Sequence, residues 1–248
     1  MRKVVVITGA SAGIGAATAE LLAKQGMWLG LMARRAEALN GVAAKCGANV
    51  LPIVGDASSR ADVTRVVDQV IARFGHIDVW INNVGQGITR SPSELTDQDI
   101  DDMMRINVKS ALYGMQEVLP HFKARGTGHV INVSSVLGRI PMATFRSAYC
   151  GAKHFLNALT ITFRDEVQQT HSGIQFSLVS PPVVRTEFGL NAKHGGPDSR
   201  TLPNSQSAEE TAAVIAGVIA SRAPDVYTAA GVAQRVAGYY ATIGVDGQ

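Results

Sequence analysis

The sequence predicts a doubly wound, three-layer α/β fold: a seven-stranded, mostly parallel sheet with helices on both faces. Three features of its 248 residues carry that reading. Short apolar runs recur along the chain, and the early ones are continuous rather than alternating, as in strands buried on both faces. Amphipathic stretches of helical period separate the runs, and strand–helix alternation with short connections implies right-handed crossovers. A glycine-bearing turn follows the first run directly.

The first strand is expected at 3–8 (KVVVIT), with a helix over 13–25 behind it. Strands at 28–33 (WLGLMA) and 49–54 (NVLPIV) bracket a helix at 36–45. A helix over 59–73, N-capped by Ser59, leads into a strand at 77–81. One long helix over 97–124 precedes the strand at 128–133 (GHVINV), and another, over 147–170, precedes that at 174–179 (IQFSLV). A helix at 207–221, capped by Ser207, and a short strand at 225–228 complete the alternation. No linker, repeat or low-complexity segment interrupts it, so one domain over residues 1–248 is expected. A domain of that size buries roughly 70–75% of the surface its unfolded chain exposes. The longest irregular stretch, 183–206, holds Gly189, Gly195, Gly196, Pro197 and Pro203. It reads as a substrate lid or binding loop, with a disordered surface insertion as the alternative.

Composition removes several function classes. A hydrophobic content of 46% with 17% charged residues describes a globular chain, not a disordered or collagenous one. The balance of 23 basic against 20 acidic residues gives +3, but the basic residues are scattered and no run exceeds a pair such as Arg34-Arg35. Nucleic acid is therefore not an expected partner. Cys46 and Cys150 form no CxxC and no disulfide framework, which suits a reducing cytosol. The apolar run Val4 to Ile7 behind Met1-Arg2-Lys3 is too short for a secretory signal, and no run is long enough to span a membrane. A cytoplasmic protein without a membrane partner is expected.

The turn after the first strand reads Thr8-Gly9-Ala10-Ser11-Ala12-Gly13-Ile14-Gly15, and a helix begins inside it. A dinucleotide-binding turn needs glycine for a tight reversal, for close approach of backbone to pyrophosphate, and for packing of helix on strand. The helix N-terminus adds unpaired N–H groups and a partial positive charge. At the end of the second strand, where an acid would bind a free ribose 2′-hydroxyl, the sequence has Arg34 and Arg35 instead. Guanidiniums suit a 2′-phosphate, so NADP(H) is the expected cofactor; the alternative is that the pair merely solubilises a helix start.

Ser134 and Ser135 stand at the end of the strand at 128–133, and Tyr149 follows Ser135 by fourteen residues. Tyr149 and Lys153 are four apart on an expected helix, hence on one face. A phenol with a pKa of about 10 needs it lowered by about 3 units, about 4 kcal/mol, to exchange protons freely at neutral pH. An ammonium about 4–5 Å away supplies roughly 3–4 kcal/mol at an effective dielectric of about 20. A serine hydroxyl can hold the reacting oxygen while charge moves through it.

In these motifs the chain resembles the compact branch of the short-chain dehydrogenase/reductase family, a Rossmann-type fold, over nearly its whole length. The family's TGxxxGxG stands at Thr8–Gly15, and its Asn-Asn-Ala-Gly at Asn82-Asn83-Val84-Gly85, with valine for alanine. Its helix asparagine matches Asn107, its serine Ser135, and its YxxxK Tyr149 to Lys153. The aspartate it places near adenine matches Asp56, and its Pro-Gly-x-Val-x-Thr appears as Pro181-Pro182-Val183-Val184-Arg185-Thr186. The resemblance implies Tyr149 as proton donor to a carbonyl and Lys153 as binder of the ribose hydroxyls and depressor of the tyrosine pKa. Ser135 would orient the carbonyl, with Ser134 the competing choice, and Asn107 would anchor a water in the proton relay. The dinucleotide would lie on Gly9, Ser11, Gly13, Ile14, Gly15, Arg34, Arg35, Asp56, Ala57, Asn83, Gly85, Tyr149, Lys153, Val184 and Thr186. A homodimer or homotetramer is implied as well.

Three departures stand out. Pro182 replaces the usual glycine and removes an N–H. The interval from serine to tyrosine is one residue longer than usual, and Gly244-Val245-Asp246-Gly247-Gln248 lacks the paired-glycine ending of many relatives. No metal is expected, because the histidines lack ligand spacing and the acids from Glu94 to Asp102 surround a helix start. Cys150 points about 100° from Tyr149 on a helix and is not expected to be a nucleophile. Leu137, Met142, Phe145, Phe188 and Leu190 are expected to wall an apolar pocket for a small or medium-sized carbonyl or alcohol. Two function classes result: an NADPH-dependent carbonyl reductase, and a non-catalytic NADP(H)-binding redox sensor or regulatory protein on the same fold.

Overall fold

In a computed structural model describing residues 2–244, β1 (Val4–Thr8) lies mid-sheet and its residues Val4 to Ile7 have no exposed surface. Beside it run β2 (Trp28–Ala33) and β3 (Val50–Val54) on one flank, and β4 (Val79–Asn82), β5 (Gly128–Val133), β6 (Ile174–Ser180) and β7 (Asp225–Tyr227) on the other. The order is β3-β2-β1-β4-β5-β6-β7, and every neighbouring pair is parallel. Pro52 sits in β3, an edge strand, where its missing N–H leaves no central ladder unpaired.

Because strand side chains alternate between faces, β1 serves two cores. Val5 and Ile7 pack with Leu29 and Leu31 against α1 (Gly13–Lys24), α2 (Ala36–Cys46) and α7 (Ala208–Ser221). Val4 and Val6 pack on the opposite face against α3 (Arg60–Phe74), α5 (Ser110–Arg125) and α6 (Ser147–Gln168). The expected caps are present: Ser59 Oγ accepts from the Asp62 N–H, and Ser207 forms a reciprocal capping box with Glu210. Among the described residues, no helix is long and apolar enough to cross a membrane. The C-terminal departure falls, from residue 245 on, outside the described residues.

Two expectations change. The single helix over 97–124 is α4 (Asp97–Met104) and α5 joined by a π-helical turn, Arg105–Lys109, whose wider ring holds Asn107. Within it, Asn107 Nδ2 donates to the Met103 carbonyl at 3.1 Å and Ser110 Oγ to that of Ile106, so side chains intrude on the α ladder. The sequence pattern also omits α8 (Val232–Ala241). Val232 and Val236 are its buried residues, too narrow a stripe to stand out, and they pack on Val136 and Ile140 just after β5.

The strand order reverses between β1 and β4, where connections leave in opposite directions and a crevice opens at the strands' carboxyl ends. Every element that carries a candidate site residue ends there.

Candidate active site

The turn from β1 to α1 is built around absent side chains. Gly9 and Gly13 have φ of +68° and +54°, a left-handed backbone that disfavours a Cβ. At Gly15 a Cβ would lie 2.3 Å from the Gly9 carbonyl oxygen and 2.6 Å from Asn83 Nδ2. Asn83 Nδ2 donates to the carbonyls of Thr8 and Gly9, both at 3.2 Å, tying the turn to the end of β4. α1 starts behind Ala12, which offers no capping side chain, so its first N–H groups are left for another acceptor. This backbone cradle fits a pyrophosphate.

The cradle opens into a cleft of about 1230 Å³. Gly9, Ser11, Gly13 and Ile14 form its floor, and Arg34, Arg35, Asp56 and Ala57 one end. Both arginines are exposed; Arg35 Nη2 donates to Ser11 Oγ at 3.3 Å, and no carboxylate directly follows β2. Asp56 Oδ1 accepts from the Ser58 N–H at 2.9 Å and Ser58 Oγ at 2.8 Å, which fixes the loop after β3. Asn83 and Thr186 sit against Gly9 and Gly13, Gly85 stands beside Lys153, and Val184, Ser135 and Tyr149 line the same cleft. Two expected residues lie behind the wall instead. Gly15 packs under the turn, and Asn107, with no exposed surface, holds Gln86 from behind.

Tyr149 and Lys153 emerge from the first two turns of α6 on one face, both nearly fully buried. Lys153 Nζ lies 5.8 Å from the tyrosine ring centroid and donates to the Val133 carbonyl at 3.0 Å. A Cβ at Gly85 would lie 3.2 Å from Asn107 Oδ1 and 3.5 Å from that Nζ, so glycine there lets the loop pass between them. The two serines are distinguished by their partners. Ser134 Oγ donates to Asn157 Oδ1, and Asn157 Nδ2 donates to the Gly138 carbonyl at 2.7 Å. Both line the cleft, but the Ser134 hydroxyl is thus spent on the interior, while Ser135, only half-buried, accepts from the Leu137 N–H at 3.1 Å.

The electrostatics of the pair are governed by burial. Burial pushes the Tyr149 phenol up to about 12, and the Ser135 side chain offsets only part of that rise. Burial also pushes Lys153 down to about 8. The loss of water is the largest effect on both groups, and Ser135 and Arg146 are what pull the phenol the other way. Tyr149 therefore holds its proton at neutral pH. Cys150, buried and pushed up to about 11, is a protonated thiol rather than a nucleophile.

At the far end Leu137, Met142, Phe145 and Phe188 line the cleft, and the Phe188 ring meets that of Tyr149 edge-on at 5.6 Å. Leu190 does not contribute; it lies outside the wall and is half-exposed. The 183–206 segment is a tied-down loop. Val184 bridges to Gln206, Lys193 bridges to Ile88, and Lys193 Nζ reaches Asp99 at 2.8 Å and Asp102 at 2.7 Å. The acids expected only to favour a helix start include Asp99, whose buried carboxyl joins a capping box with Thr96 and also pairs with Arg90 and His194. One lining residue carried no sequence signal: Arg146, at the start of α6, is buried in the wall with no carboxylate beside it among the described residues.

A family model described as short chain dehydrogenase matches residues 3–195. An uncharacterized oxidoreductase of Staphylococcus saprophyticus is 38% identical over 188 residues, covering 75% of this chain and 76% of its own. The farnesol dehydrogenase of Aedes aegypti is 35% identical over 199 residues, covering 75% and 79%. Among solved structures, a levodione reductase superposes with a TM-score of 0.82 at 28% identity, over 96% of this chain and 98% of its own. An alcohol dehydrogenase from the archaeon Thermococcus sibiricus, complexed with 5-hydroxy-NADP, superposes with a TM-score of 0.78 at 26% identity, over 92% and 96%.

Proposed function

Since the chain belongs to the short-chain dehydrogenase family of oxidoreductases, we propose that it is an NADPH-dependent carbonyl reductase, running in reverse as an alcohol dehydrogenase. The observation that carries this is the pairing of Tyr149 and Lys153 on one buried face of α6, opposite Ser135, in the cleft that the glycine turn opens into. A redox sensor would need the cradle alone.

A bound nicotinamide dinucleotide supplies or accepts the hydride. Gly9, Ser11, Gly13 and Ile14, with Gly15 packed beneath them, would hold its pyrophosphate, and Arg34 and Arg35 would neutralise its 2′-phosphate. The arginines at the end of β2 support NADP(H); the solved relatives were complexed with either dinucleotide, 5-hydroxy-NADP in one and NAD in another. Asp56 and Ala57 would hold the adenine, and Asn83, Gly85, Val184 and Thr186 the nicotinamide half, with Tyr149 and Lys153. Lys153 binds the ribose hydroxyls.

Tyr149, neutral at physiological pH, donates its proton to the carbonyl oxygen as hydride reaches the carbonyl carbon, and the product is an alcohol. Ser135 Oγ holds that oxygen in place through the charge change. Asn107 fixes the Gly85–Gln86 backbone against which the substrate end is built, and a water anchored there would return a proton to Tyr149. Residues 1–248 form one catalytic domain with 183–206 as its substrate loop, working in the cytoplasm as a homodimer or homotetramer. The test is a panel of ketones, aldehydes and alcohols with NADPH and NADH, read as nicotinamide absorbance, alongside titration of both cofactors. Carbonyl-dependent NADPH oxidation with tighter NADPH binding is expected; tight binding with no turnover across the panel would favour the sensor, and tighter NADH binding would overturn the cofactor.

A further inference from the structure

The substrate end of the cleft holds a positive charge that the protein does not neutralise. Arg146 is 8% exposed, and its Nη1 is shut away from solvent with no hydrogen-bond partner. A guanidinium keeps its charge in any protein environment, and an unpaired buried charge is costly. Among the described residues, the ionisable groups that act on Arg146 are Tyr149 and Cys150, and no carboxylate does; the Phe145 ring lies 5.6 Å from the guanidinium carbon. The acids of this region are already engaged: Asp99 by Arg90, Lys193 and His194, Asp198 and Glu187 by Arg200.

The surroundings are shaped for the guanidinium. A Cβ at Gly87 would lie 2.2 Å from Arg146 Nη1 and 3.1 Å from the Phe188 ring. One at Gly196 would lie 2.9 Å from Thr89 Oγ1 and 3.2 Å from Arg146 Nη2. Glycines at both places let two loops close around the head group. Thr89 Oγ1 and Ser147 Oγ, on the two segments beside it, are buried without partners as well. Phe188 touches both Tyr149 and the space beside Nη1, so the charge lies next to the reacting end of the cleft.

Resting on the carbonyl-reductase reading, we infer that the substrate is an oxo acid, whose carboxylate pairs with the Nε–Nη2 edge of the planar Arg146 fork, the edge that is not shut away, while its carbonyl lies against Tyr149 and Ser135. The fork matches a carboxylate in two parallel hydrogen bonds. The carboxylate takes no part in bond making: hydride adds to the carbonyl carbon, Tyr149 gives its proton to the oxygen, and a hydroxy acid leaves. A helix-surface arginine would be solvated, and a structural one would have found an acceptor in the fold.

The test compares 2-, 3- and 4-oxo acids with their methyl esters, using NADPH. Wild type is expected to prefer at least one acid over its ester by roughly 10- to 100-fold in kcat/KM. Arg146→Gln should collapse that ratio towards one, through KM for the acid. Butyrate, which cannot react, should compete with the acid and raise the melting temperature of the NADPH-loaded wild-type protein, while butyramide should do neither. Equal use of acids and esters by wild type, or no effect of butyrate, overturns the inference whether or not the Arg146 variant folds. Turnover of uncharged carbonyls alone would leave the reductase reading standing and remove only the oxo acid. Absence of all turnover would defeat the reductase reading, and the butyrate shift would still decide whether Arg146 binds a carboxylate.

Discussion

The Asn107 side chain holds the Gln86 backbone at both ends: Oδ1 accepts from its N–H at 3.1 Å, and Nδ2 donates to its carbonyl at 3.0 Å. Asn107 reaches that position because the π turn carries it off the regular α ladder. The loop at Gly85–Gln86 is thus set by a side chain one layer behind the cleft. Replacing Asn107 with Ala leaves two backbone groups and the Met103 carbonyl without this partner. A stability loss of about 2–3 kcal/mol is expected in denaturant unfolding, with a fall in kcat.

Ser134 and Ser135 are adjacent but do different work. Ser134→Ala removes the donor to buried Asn157 and should lower stability by about 1–2 kcal/mol while largely sparing kcat. Ser135→Ala should leave stability near wild type and lower kcat by roughly 100-fold. Parallel melting and turnover measurements on the two variants separate them; the reverse pattern would exchange the assignments.

Lys193 fastens the 183–206 loop through Asp99 and Asp102, and the Asp99 carboxyl is held well below the usual carboxylate range by Lys193 and His194. Lys193→Met should raise KM for the carbonyl several-fold with a smaller change in kcat, and should speed amide exchange across 183–206. Because the folded carboxyl is depressed, its stabilisation is present above the unfolded pKa of about 3.8 and is lost as pH falls below it. Below that pH the tie between α4 and this loop should weaken, read as amide exchange across 183–206 that speeds as pH falls.

His129, 1% exposed in β5 with Nε2 2.8 Å from Ser177 Oγ, is pushed down to about 3 by burial. The unfolded chain takes up a proton near pH 6.5 that the folded one refuses until about 3. Between those values the unfolded state binds more protons, so stability falls as pH falls through that window. His129→Gln should flatten the decline, by on the order of 4 kcal/mol at most, in urea unfolding followed from pH 7 to 4.

What was legible in the sequence was local. The glycines at 9, 13 and 15 announce themselves because a tight turn and a close backbone approach tolerate nothing larger, and Tyr149 and Lys153 because a four-residue spacing puts them on one helix face. Continuous apolar runs such as Val4 to Ile7 report burial on both faces wherever they occur. What was illegible depends on neighbours far along the chain. Arg146 is buried by loops near Gly87 and Gly196, and no pattern in its own segment records that. The rise of the Tyr149 pKa follows from how completely the phenol is enclosed, which spacing to Lys153 does not record. α8 rests on two buried valines, and the π turn on side-chain hydrogen bonds, so neither disturbs the helical period enough to be seen.

The proposed chemistry depends most directly on one hydroxyl, and Tyr149→Phe removes it while keeping the ring that meets Phe188. The decisive measurement is steady-state turnover of this variant on the best carbonyl of the panel, beside its NADPH dissociation constant. Turnover should fall by at least about 1000-fold, at or beyond the upper part of the range for general acid catalysis, with NADPH binding within a few-fold of wild type. A phenylalanine variant that still reduces the carbonyl at a rate near wild type would contradict the account.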